Sequence, residues 1–201
     1  MTADQIPEDD LDAVIAFAWR ELERAATDRD SPFRHAQLAT TGPHGWPQLR
    51  TVILRHGDAG QRQVGFQTDR RSAKVAEITA DTSVALVTQD RPRELQIRLW
   101  GQAATHAGDT LARAAWEGLY PPLRMPYRTV FAPGQIIGAP GSADPTPEAI
   151  APADPDTGFQ NFALVLVRVV RVEWLRLRPG KGHRRARFEW GDGWEGNWLA
   201  P

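Results

Sequence analysis

The chain of 201 residues has no cysteine, which excludes disulfides, thiolate metal ligands and a cysteine nucleophile. It also has almost no net charge. With 24 Lys and Arg against 25 Asp and Glu, it offers no global field for a polyanion or a membrane surface. Any anion site must therefore be built locally. Nothing in the sequence approaches the ~20 apolar residues of a membrane-spanning helix. The opening "MTADQIPEDDLDAV" lacks the basic-then-apolar order of a leader, so a soluble cytoplasmic protein is expected. No Walker-type loop, dinucleotide-binding glycine fingerprint or Ser-His-Asp order is present. The five histidines, His35, His44, His56, His106 and His183, show no pairing that suits a metal.

What is present reads as one domain over 1–201. Leu11, Val14, Ile15, Ala18, Leu22 and Ala25 recur at helical spacing behind Asp9, Asp10 and Asp12, predicting a helix within 1–30. "FRHAQLATT", "QLRTVILRH" and "QVGFQT" follow as strands separated by turns. In "TDRRSAKVAEITA" the period changes to helical, with Asp69 where an N-cap would sit. Two more strands surround "DRPR", and "GDTLARAAWEGL" is a second amphipathic helix. The Pro- and Gly-rich stretch 120–158 reads as a long irregular loop, and "APGQIIGAPGSADP" within it as a candidate lid. "FALVLVRVVRVEWLRL" and a closing hairpin, "RRARFEW" and "WEGNWLA", end the chain. Short strands joined by turns, with few helices, predict an antiparallel barrel or sandwich with peripheral helices.

The charge is balanced overall but uneven locally. Arg50, Arg55, Arg70, Arg71, Ser72 and Lys74 gather around two strands and a helix start, where backbone N–H groups, hydroxyls and cations can converge on an anion. Strand alternation puts Arg50, Val52 and Leu54 on one face and Thr51, Ile53 and Arg55 on the other, so both arginines reach one ligand only through a twist or bulge. The competing reading is a solvated strand edge. A second basic stretch, "RLRPGKGHRRARF", is the best case for nucleic acid, but the neutral chain argues for a small ligand instead.

Order and spacing add to this. "RTVILR", "GFQTDRRSAK", "RELQIRLWG" and a terminal "RARFEW…W…LAP" follow one another as in the pyridoxamine 5′-phosphate oxidase family, which this chain resembles. The resemblance is densest from Arg50 to Gly101 and implies an FMN-binding antiparallel split β-barrel, mainly β with peripheral helices. It implies cofactor contacts at Arg50, Thr51, Val52, Arg55, Gln67, Thr68, Ser72, Lys74, Gln96 and Arg187. Arg71 would supply the charge that the family carries where this chain has Ala73. Gln96 and Arg55 would lie near the flavin ring. A homodimer with flavin sites at the subunit interface is implied too, with no nucleic acid, membrane or metal partner.

The family grips its substrate with an Arg-X-His pattern, whose places are taken here by His183 and Arg185. Its flavin-contacting tryptophan falls on Leu175, one position after Trp174. The expected function is an FMN-dependent oxidoreductase with an altered small-molecule site and no identified catalytic side chain. The alternatives are a non-catalytic flavin carrier or sensor and, behind both, a true pyridoxamine 5′-phosphate oxidase.

Overall fold

In the computed structural model, which describes residues 6–150 and 153–201, the strands form one antiparallel sheet. They are β1 (His35–Thr41), β2 (Pro47–Asp58), β3 (Gln63–Asp69), β4 (Ser83–Asp90), β5 (Leu95–His106), β6 (Phe162–Arg176), β7 (Arg184–Trp190) and β8 (Trp194–Leu199). Their order is β3-β2-β1-β4-β5-β6-β7-β8, and a further β3–β6 pairing closes β1 to β6 into a barrel. The closure depends on the length of β6. Its first half, Phe162 to Arg168, pairs with β3, and its second half, Arg171 to Arg176, pairs with β7, while β5 runs along its other edge. This is the split barrel with peripheral helices that the order of motifs implies.

Alternation fills the barrel: Ala36, Leu38, Val52, Leu54, Val64, Phe66, Leu86, Ile97, Leu99, Val165 and Val167 are all buried in one cluster. Helix α1 (Leu11–Thr27) adds Val14, Phe17, Ala18 and Leu22 to that core, which is why its apolar stripe is periodic. Its N-cap is Asp10, whose carboxylate accepts the Ala13 N–H at 3.1 Å. At the other end the Arg34 guanidinium donates to the carbonyls of Ala25, Ala26 and Asp28. Phe33 and Arg34 therefore belong to a 3₁₀ turn, not to the strand expected from their sequence.

Helix α2 (Ala73–Ala80) follows β3 and begins at Ser72, not at Asp69 as the sequence suggests, because the Asp69 carboxylate is taken by Arg71. Helix α3 (Thr110–Glu117) and the 3₁₀ segment Pro121–Arg128 pack on the outer face of β6 through Trp116, Leu119, Tyr127, Phe162, Leu164 and Leu166. The stretch expected to be irregular is thus pinned at its start, and a short helix α4 (Pro147–Ile150) lies within it. Among the described residues no helix is long and apolar enough to cross a membrane.

Candidate functional site

Arg50 shares the inward face of β2 with Val52 and Leu54 but lies at the barrel end, where the core gives way to polar groups. Its guanidinium donates to the Glu77 carboxylate of α2 at 2.7 Å and to the Thr40 hydroxyl of β1. Thr40 in turn donates to Glu77 at 2.6 Å, so this buried carboxylate is held by two strands. One turn earlier on α2, the Lys74 ammonium donates to Thr68 Oγ1 at 3.0 Å and to Ser72 Oγ at 3.2 Å. Ser72 donates its own proton to the Asp69 carbonyl at 2.7 Å.

The electrostatics of this end point to an anion. Burial, and then the neighbouring Arg50 charge, push the Lys74 pKa below its ordinary value against the weaker pull of Asp69 and Glu77. A nearby anion would oppose both by favouring the ammonium. An ammonium, two hydroxyls, a guanidinium and the start of a helix together match the donor set that a phosphate needs, so these residues fit the phosphate end of FMN.

Arg71 lies elsewhere. Its Nε and Nη2 donate to the Asp69 carboxylate, the latter at 2.7 Å, and its Nη1 donates to the carbonyls of Thr129 and Val130 at 3.1 and 3.2 Å. The hydrogen bond to Asp69 outweighs burial and raises its pKa further. Of the other positions singled out in the sequence, Val52 is buried in the core and Thr51 is exposed on the outer face of β2. Gln67 is half-buried on β3 opposite Leu164. A bulge between Leu54 and His56 leaves Arg55 without a partner in the β2–β3 ladder.

A second group sits on the outer face of β5, β6 and β7. Cross-strand register aligns Gln96 with Leu175 and Arg185, and Arg98 with Glu173 and Arg187. Glu173 is 5% exposed and binds Arg185 at 2.8 Å, Arg187 at 3.2 Å and Arg98 at 3.4 Å. Burial alone would raise its pKa, but Arg185 foremost, then Arg187 and Arg98, hold the carboxyl below the ordinary range. Gln96 lines a cavity of 210 Å³ with Gln89, Leu175 and Leu177.

His183 and Arg185 line another cavity, of 370 Å³, beside Glu8, Asp9 and Trp198. The His183 ring is committed to its turn, where Nδ1 accepts the Arg178 N–H at 2.9 Å. Trp174 is fully buried, whereas Leu175, on the opposite face of β6, lies beside Gln96. The basic stretch 176–187 is matched with acids: Arg176 and Arg178 with Glu8, Arg184 with Asp9, and Arg185 and Arg187 with Glu173.

One chain does not bring the two groups together. Arg50 and Lys74 sit at the barrel end capped by α2, while Gln96, Arg185 and Arg187 lie on the outer face, with β1 and β4 between β2 and β5. The sequence did not single out Thr40, Glu77, Arg98 or Glu173, and it marked Asp69 only as an N-cap. Glu77 was detectable as the residue one helical turn after Lys74, and Glu173 as the lone acid in an apolar and basic strand. Thr40 and Arg98 required the register.

A sequence model of the pyridoxamine 5′-phosphate oxidase FMN-binding domain matches residues 16–107. The pyridoxine/pyridoxamine 5′-phosphate oxidase of Anaeromyxobacter dehalogenans is 31% identical over 188 residues, covering 90% of this chain and 91% of that protein. The enzyme of the same name from Alkalilimnicola ehrlichii is 27% identical over 176 residues, covering 82% and 84%. Among solved structures, a pyridoxamine 5′-phosphate oxidase-related FMN binding protein of Nostoc punctiforme superposes with a TM-score of 0.70 at 26% identity, covering 93% of this chain and 95% of that one. PhzG from Burkholderia lata gives the same TM-score at 22% identity, covering 99% and 96%, a likeness of fold. With a relative this similar along nearly its whole length, and the split barrel to match, the chain belongs to the pyridoxamine 5′-phosphate oxidase family of FMN-binding proteins.

Proposed function

We propose that this chain is an FMN-dependent oxidoreductase whose substrate site differs from that of a pyridoxamine 5′-phosphate oxidase. The observation that carries the cofactor assignment is the Lys74 ammonium, held on Thr68 and Ser72 beside Arg50, with burial and the Arg50 charge lowering its pKa. In this reading Arg50, Thr68, Ser72 and Lys74 bind the phosphate. Bound FMN would supply the hydride chemistry, and the protein would supply position, charge and exclusion of water. Gln96 and Arg187 would complete the site from the second subunit of a homodimer. Two features support that arrangement: their separation from Lys74 within one chain, and the exposed Leu49 and Ile53 on the outer face of β2. The altered substrate site is supported by His183, whose Nδ1 is spent on its own turn, and by Arg185, whose guanidinium is bound to Glu173.

The test is the absorbance spectrum of protein purified from riboflavin-rich cells, with mass analysis of any released chromophore. Oxidised-flavin bands that disappear in a folded Lys74→Glu variant are the expected result. Equal FMN retention in the variant would remove Lys74 from the site, and a colourless wild-type protein that ignores added FMN would end the cofactor reading. Oxygen uptake with pyridoxamine 5′-phosphate should be absent from the FMN-loaded protein; robust turnover would reinstate the oxidase itself.

A further inference from the structure

Arg71 stands between two loops that the sequence keeps far apart. The first, residues 68–72, carries Thr68 and Ser72, on which Lys74 rests. The second is the segment Pro121–Arg128 and the residues that follow it. Asp69 is 7% exposed, and its carboxylate is occupied by the Arg71 backbone N–H at 2.8 Å, by Arg71 Nε at 3.0 Å and by Arg71 Nη2 at 2.7 Å. That grip leaves the Nη1 edge of the planar guanidinium facing the other loop, where it donates to the Thr129 and Val130 carbonyls. A second tie runs in parallel: the Arg70 N–H donates to the Asn161 carbonyl at 2.7 Å, and the Asn161 side-chain amide donates to the Tyr127 carbonyl at 2.8 Å. Gly158 closes the triangle. Its φ is +96°, and a Cβ there would come within 3.1 Å of the Tyr127 backbone.

We infer that Arg71 is a positioning residue and not a phosphate ligand. With Asp69 it forms a clasp that fastens the 121–130 segment to the loop beneath the cofactor phosphate, so that filling the phosphate site and holding that segment down reinforce each other. The inference rests on the cofactor reading above for its ligand, but the clasp itself is a property of this chain. The physical basis is short range. Ser72 and Lys74 lie one and three residues beyond Arg71, so an anion that fixes them restrains the backbone from which Arg71 reaches out. By reciprocity, a segment already held by Arg71 offers the anion a loop that no longer needs ordering. A lysine cannot replace the guanidinium, because one ammonium cannot grip a carboxylate along one edge and two carbonyls along another.

The test is amide hydrogen exchange over residues 121–131, read with and without FMN, together with FMN affinity, in wild type, Arg71→Ala, Arg71→Lys and Asp69→Asn. In the apo-proteins, exchange in this segment should be about tenfold faster in each variant than in wild type. FMN should slow exchange there in wild type and not in the variants. FMN affinity should fall by about tenfold or less in the variants, in contrast to its loss in Lys74→Glu. If Arg71→Ala loses FMN as completely as Lys74→Glu while exchange in 121–131 stays at the wild-type rate, Arg71 is a phosphate ligand and the inference fails. Unchanged exchange with unchanged affinity defeats it as well. If Arg71→Ala does not fold, Arg71→Lys and Asp69→Asn carry the comparison. If wild type binds no FMN, the cofactor reading falls, and the apo-state rates still decide whether the clasp exists.

Discussion

At the scale of single residues, Lys74 is where chemistry and stability meet. Its pKa in the folded chain lies below the ordinary 10.5, through burial first and Arg50 second. Between that lowered value and 10.5 the unfolded chain binds more protons than the folded one, so the apo-protein should gain stability as pH rises through the window. A bound phosphate favours the ammonium, so FMN affinity should fall over the same window. Titrations with FMN at neutral pH and at alkaline pH below 10.5 measure the slope, and Lys74→Arg, which does not titrate there, should flatten it. An identical slope in both proteins would assign the pH dependence to another group. Residue identity gathered Arg50, Ser72 and Lys74 at a helix start but left a solvated strand edge as a competing reading, and motif order was needed to add Thr68 and favour the anion. It did not show the bond from Arg71 to Asp69, since nothing in a run of charged residues reveals that Arg71 turns back onto the residue two positions before it.

At the scale of elements, the strands were legible because alternation with period two survives burial on one face, and α1 because its stripe faces the barrel core. The misreadings sit at junctions. Phe33 is apolar and next to a strand, yet it belongs to the 3₁₀ turn that precedes it, and Asp69 has the chemistry of an N-cap but is already bound. Gly101 shows what register adds. It follows a bulge at Trp100, and a Cβ on it would lie 2.3 Å from the Arg168 carbonyl oxygen of β6. Gly101→Ala should therefore destabilise the barrel by about 1–3 kcal/mol, the usual range for forcing atoms into a packed interior. Urea denaturation of the two proteins gives the difference, and a change near zero would mean that β5 and β6 can part without loss.

At the scale of the whole molecule, the outer face of β2 carries Leu49, which is 68% exposed, and the exposed Ile53. A substitution there should barely change the isolated chain. In the proposed dimer, Leu49→Glu should shift sedimentation toward the single chain and lower FMN retention in step, with the melting of the apo-protein little altered. Retained FMN on a single chain would show that one subunit suffices. This level was the least legible in the sequence. Motif order gave the family's barrel, but the faces on which Lys74 and Gln96 end up depend on pairings far apart in the chain, as when β6 leaves β3 for β7 halfway along its length.

In the proposed dimer, where each site takes Lys74 of α2 from one subunit and Arg187 of β7 from the other, this division has a genetic consequence. A subunit carrying Lys74→Glu and a subunit carrying Arg187→Ala would each spoil both sites of their own pairs. Brought together, they would leave one site of the mixed pair with every wild-type side chain in place. Co-expression of two colourless variants should then yield a yellow protein, whereas a site contained in one chain would give none.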